Sequence, residues 1–128
     1  MQQDNSLNRA WDVQQAASAV GFDWPDISGA LDKVREEVAE VEEALAAGDA
    51  EHAREELGDL LFAMVNVTRF LDHHPNVALH QATDKFEARF AQVKTIIESE
   101  GKAIAQCSLA ELDAVWDRVK VSDNESKK

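Results

Sequence analysis

The chain has 128 residues, 45% of them apolar, a length that suits one domain able to bury a core. Its formal charge of −12 excludes the usual mode of binding nucleic-acid polymers, in which Lys and Arg neutralise phosphates. Two prolines, five glycines and the absence of alternating apolar and polar segments predict an all-α fold.

The first helix is predicted from about Leu7 to Val20, with Trp11, Ala17 and Val20 inward, and it stops at Gly21. Phe22-Asp23-Trp24-Pro25 reads as a connecting loop. Asp26 or Ser28 caps a second helix that runs to about Ala47 and ends at Gly48. Its apolar positions Leu31, Val34, Val38, Val41 and Leu45 recur at helical spacing and form the predicted inward stripe. Asp49 caps a third helix to about Asp72, where His73-His74-Pro75 breaks it because the residue before proline avoids helical geometry. Within it, Leu60 to Val67 is apolar on every side apart from Asn66, so this helix is predicted to be surrounded by protein.

A fourth helix follows at once, with Leu79, Ala82, Phe86, Phe90, Val93 and Ile97 inward up to Gly101. Ser108 caps a fifth, Leu109 to Val121, with Leu112, Val115, Trp116 and Val119 on one side. The domain is therefore expected to span 1–121, and the polar residues 122–128 to be a disordered tail. Short connections predict an antiparallel helical bundle. A single chain offers few helices to cover an all-apolar third helix, so a homodimer, or a higher homo-oligomer, is expected to complete the bundle.

The chemistry lies in two acidic segments, Glu36-Glu37-x-x-Glu40 and Glu55-Glu56-Leu57-Gly58-Asp59. Residues three or four apart share a helix face, so Glu37 with Glu40, and Glu56 with Asp59, project paired carboxylates. Each like-charge pair costs an isolated helix roughly 0.2–0.5 kcal/mol, and burial raises that cost unless a cation offsets it. For a lone Glu-x-x-Glu, a solvated face is the commoner reading. Here Glu56, Asp59, Ala63, Asn66 and Phe70 form one stripe, which places the second pair at the mouth of a buried surface. Four carboxylates can then converge between two helices, and oxygen-only ligation favours Mg²⁺, with Mn²⁺ as a substitute. Cys107 has no partner for an internal disulfide, and residues 1–9 lack an apolar signal region, so a cytoplasmic location is expected. No stretch approaches the ~20 apolar residues needed to cross a bilayer.

These segments, together with Val20-Gly21-Phe22-Asp23-Trp24-Pro25-Asp26, Lys33-Val34-Arg35, Lys85-Phe86-Glu87-x-Arg89-Phe90 and Leu112-Asp113-x-x-Trp116, resemble the MazG-type nucleoside triphosphate pyrophosphohydrolases. The likeness covers roughly Val13 to Lys120. It implies an all-α enzyme that cleaves (d)NTPs between the α and β phosphates with Mg²⁺, releasing a monophosphate and pyrophosphate, as in nucleotide-pool cleaning. It further implies metal ligation by Glu37, Glu40, Glu56 and Asp59, phosphate binding by Lys85 and Arg89, and a nucleotide or metal-water contact from Asn66. Glu36 and Glu55 remain as candidates for the general base, and Trp24 as a platform for the base. Where the family commonly has Ala-Asn-x-Lys-Phe and Glu-Arg-Arg-Phe, this chain has Ala82-Thr83-Asp84-Lys85-Phe86 and Glu87-Ala88-Arg89-Phe90, which bears on substrate choice. Two other functions compete: a dUTP- or dCTP-specific pyrophosphatase of the same superfamily, and a non-catalytic helical module for nucleotide sensing or protein interaction.

Overall fold

In a computed structural model, residues 5–126 are described. Five α-helices carry the chain: α1 (Ser6–Ala19), α2 (Ile27–Ala46), α3 (Ala50–Phe70), α4 (Pro75–Ser99) and α5 (Leu109–Ser126), with a 3-10 turn at Ile104–Gln106. No strand occurs among the described residues. The chain divides after Leu79 into two compact units.

In the first unit, α2 and α3 form a tight antiparallel hairpin, and the sequence shows why the turn closes. Gly48 takes a left-handed φ of 72° after the α2 cap, and the Gly48 and Asp49 amides donate to the Leu45 and Ala44 carbonyls, each at 3.0 Å. That pairing satisfies carbonyls the helix end leaves open. Asp49 Oδ1 then accepts from the His52 amide at 3.0 Å and starts α3. Asp26 caps α2 in the same way, through the Ser28 amide at 2.9 Å.

The buried seam of this hairpin differs from the predicted stripe. On α2 the buried residues are Ala30, Glu37 and Ala44, whereas Val38 and Leu45 are 41% and 62% exposed. On α3 they are Ala53, Ala63 and Val65. Small side chains let two backbones approach closely, so the alanines occupy the contact and the larger Leu and Val residues are displaced to its flanks. The third helix is correspondingly not enclosed within this chain: Leu57, Leu61, Phe62 and Met64 are each more than 40% exposed. Helix α1 lies on α3, tied by Gln14 Nε2 donating to the Phe62 carbonyl at 2.9 Å. Val20, predicted inward, is exposed beyond the end of α1.

In the second unit, Val93 and Ile97 of α4 and Val115 and Val119 of α5 form the core, flanked by Leu112 and Trp116. Phe86 packs on Phe90 and Trp116 at ring separations of 5.9 and 5.3 Å, yet Phe86 remains more than half exposed, as does Leu79 at the end of the first unit. Ser108 and Glu111 cap α5 reciprocally, at 3.1 and 2.9 Å. The predicted tail requires correction, because α5 continues to Ser126. Asp123 in that added turn accepts from Arg89 Nε at 2.9 Å, a tertiary ion pair that fastens the helix beyond its last apolar residue. Residues 127–128 lie outside the described residues.

Candidate metal centre and cleft

The antiparallel register sets Glu37 and Glu40 of α2 beside Glu56 and Asp59 of α3. Glu37, Glu56 and Asp59 each offer a carboxylate oxygen within 4.8 Å of the others, and a second group of the same kind joins Glu40, His52 and Glu56. Glu56 is thus common to both. The charges are poorly balanced within this cluster. Glu37 is buried, with Lys33 Nζ 3.1 Å from Oε1, while its Oε2 is buried without a hydrogen-bond partner. Glu56 has its carboxyl pushed above the usual value, first by the neighbouring Glu37 carboxylate, then by desolvation and by the charges of Glu40 and Asp59. His52 Nε2, at 3.5 Å from Glu56, is the nearest imidazole. An orphaned buried oxygen among converging carboxylates suits a hard divalent cation, which would satisfy the oxygen and offset the repulsion.

A cleft of about 620 Å³ opens beside these acids. Its lining joins Glu37, Asp59 and Lys33 to the apolar Val13, Ala17, Phe62 and Ala63, with Gln14, Trp24, Asn66 and Arg69 supplying polar groups. Trp24 rests its indole on Gly29 so closely that a Cβ there would come within 2.8 Å of the ring. The loop that carries Trp24 is held by Arg69, whose two terminal nitrogens reach Asp23 at 3.1 and 2.8 Å. That guanidinium holds the Asp23 carboxyl down at about 2, against burial, which opposes it. Arg69 also donates to Asn66 Oδ1 at 3.2 and 2.8 Å, which fixes the orientation of that amide.

The remaining sequence candidates fall elsewhere. Glu36 is 59% exposed and pairs with Lys33 at 3.2 Å. Glu55 is exposed on α3. Lys85 and Arg89 belong to the second unit. Lys85 is exposed there, whereas Arg89 is buried against Asp123. Four contributors escaped the sequence reading: Gln14, Lys33, His52 and Arg69. Lys33 and His52 stand one helical turn before Glu37 and Glu56, a spacing that could have flagged them. Gln14 and Arg69 act on residues 48 and 46 positions away, and no local pattern announces such contacts.

An acid cluster on a close-packed helical hairpin, opening onto an amphipathic cleft, defines an all-α protein with carboxylates placed so that they could hold a metal ion. The chain belongs to the MazG family: the family model for the MazG nucleotide pyrophosphohydrolase domain matches residues 27–94, which carry every carboxylate of the cluster. It is 41% identical over 118 residues to a nucleoside triphosphate pyrophosphohydrolase/pyrophosphatase MazG of Thermotoga maritima, covering 92% of this chain and 45% of that protein. It is 40% identical over 117 residues to a nucleoside triphosphate pyrophosphohydrolase of Escherichia coli, covering 90% of this chain and 44% of that one. The chain therefore spans less than half the length of these relatives.

Proposed function

We propose that the chain hydrolyses nucleoside triphosphates between the α and β phosphates, with Mg²⁺ held by Glu37, Glu40, Glu56 and Asp59. The observation that carries the reading is the convergence of Glu37, Glu56 and Asp59 with a buried oxygen left unpaired. Family membership and the names of the two relatives support the substrate class. A bound Mg²⁺ supplies charge neutralisation on the phosphates and acidifies water.

The chain's own groups do the rest. Glu37 is aimed by Lys33, so its free oxygen stays directed into the cluster. Glu56 and Asp59 stand one turn apart on α3, and their oxygens are already gathered with that of Glu37 before any substrate binds. The apolar walls and Trp24 accept the base, and Asn66, its oxygen held by Arg69, has its NH₂ left to donate. Lys85 neutralises phosphate oxygens in this reading and Glu36 or Glu55 takes the proton of the attacking water, whereas Arg89, which the resemblance also assigns to phosphate, is held by Asp123. The exposed Leu57, Leu61, Phe62 and Met64 favour a homodimer in which a second copy covers α3. No helix among the described residues is long and apolar enough to cross a membrane. The proposed reaction is a cytoplasmic one that cleans the nucleotide pool.

The test is pyrophosphate release from a panel of (d)NTPs with Mg²⁺. Wild-type protein releases pyrophosphate, and Glu56→Gln and Asp59→Asn abolish release while the far-UV CD spectrum stays unchanged. Activity on a single base would favour the dUTP or dCTP specialist. Binding without release from any substrate would leave the sensing module.

A further inference from the structure

We propose that Gln14 reads the base of the nucleotide, its Oε1 accepting a hydrogen bond from an N–H on the base edge. The inference rests on the triphosphate reading above and adds to it a residue and a chemical requirement.

Gln14 is only 4% exposed, an unusual burial for an amide side chain, and it lines the cleft beside the acid cluster. Its Nε2 donates to the Phe62 carbonyl at 2.9 Å. A carbonyl only accepts, so the amide cannot be turned over without placing two oxygens against each other. The orientation is therefore chemically determined. Oε1 is left buried with no partner. Native proteins rarely leave a buried acceptor unpaired, and an orphan on a residue that lines a cleft points to a ligand donor.

The surroundings say which donor. Apolar Val13, Ala17 and Phe62 line the same cleft, together with the Trp24 indole. They suit a flat ring and do not suit a hydrated phosphate, for which the acid cluster is in any case repulsive without a cation. Asn66, which lines the same cleft, is locked in the opposite sense, its oxygen taken by Arg69 at 3.2 and 2.8 Å, so that its NH₂ is the group left to donate. One amide offers an acceptor and the other a donor. A nucleobase edge, where an N–H adjoins a ring nitrogen or carbonyl, carries the complementary pair.

The experiment measures binding by calorimetry, in Mg²⁺, of α,β-imido triphosphates of the four common nucleosides. Each is paired with a counterpart triphosphate lacking the edge N–H, built on purine riboside, pyrimidin-2-one riboside, 1-methylinosine and 3-methyluridine. For the base that binds best, wild-type protein loses about 10- to 100-fold in affinity when the N–H is removed. Gln14→Leu binds both partners of that pair within about threefold, because no acceptor remains to discriminate. Wild-type protein that binds the paired nucleotides equally overturns the role of Gln14 and leaves the triphosphate reading standing. This wild-type comparison decides the matter even where Gln14→Leu fails to fold. Full discrimination retained by a folded Gln14→Leu overturns the role too. Failure of every triphosphate to bind overturns both.

Discussion

Removing the charge of Asp23 tests whether the Trp24 loop is held electrostatically. Asp23 and Arg69 meet through two hydrogen bonds, with side chains 18% and 7% exposed. The Asp23 carboxyl is lowered from 3.8 to about 2, chiefly by Arg69. At about 1.4 kcal/mol per unit the shift corresponds to ~2.4 kcal/mol, which solvent screening of a partly exposed carboxylate reduces to about 1 kcal/mol. Asp23→Asn keeps the shape and loses that amount at pH 7, a fall of about 4 °C in Tm for a chain of this size. The sign with pH follows from the depressed value. The ionised carboxylate stabilises the fold fully above the unfolded pKa near 3.8, and the contribution is lost as pH falls towards 2. Urea titrations of wild type and Asp23→Asn should therefore be offset at pH 7 and converge as pH drops from 4 towards 2. An equal offset at every pH, or none at pH 7, would refute the reasoning. The same variant raises KM with little change in kcat, because the loop it loosens carries Trp24 and not the carboxylates.

Three further outcomes are predicted. Mg²⁺ at about 100 times its Kd stabilises the wild type by ~2.7 kcal/mol, or roughly 10 °C in a thermal melt, and Glu37→Gln loses this increment. Lys85→Met lowers turnover and leaves Tm unchanged because Lys85 is exposed, whereas Arg89→Met lowers Tm because Asp123 loses its partner at 2.9 Å; steady-state kinetics and melts on both variants check this. An added Cβ at Gly58 meets nothing within 4 Å in this chain, so Gly58→Ala leaves the fold intact and raises Tm by a few degrees through the better helix propensity of alanine, which far-UV CD melts check.

Much of the architecture was legible because its signals are local. Asp26, Asp49 and Ser108 cap the helices the sequence indicates, and the Gly48 turn follows from the left-handed backbone a helix end requires. The acids were readable for the same reason, since one helical turn brings Glu56 and Asp59 onto one face. What stayed hidden depends on which surface meets which. Periodicity marks Leu31, Val38 and Leu45 as a stripe, but it does not weigh close backbone approach, and that approach selected Ala30, Glu37 and Ala44. Gln14 looks like any surface amide until the Phe62 carbonyl stands beside it, and Arg69 like any basic residue near a helix C-terminus until Asp23 meets it. The last turn of α5 depends on Arg89, 34 residues from Asp123 in sequence, so its polar composition alone suggested disorder.

Binding of a divalent cation by these carboxylates is the physical basis of the proposed reaction. Isothermal titration of Mg²⁺, and separately Mn²⁺, into the purified protein with and without an α,β-imido triphosphate measures this directly. Saturable uptake by the wild type that disappears in Glu56→Gln is the predicted result; no uptake of either ion by the wild type under any of these conditions would contradict it.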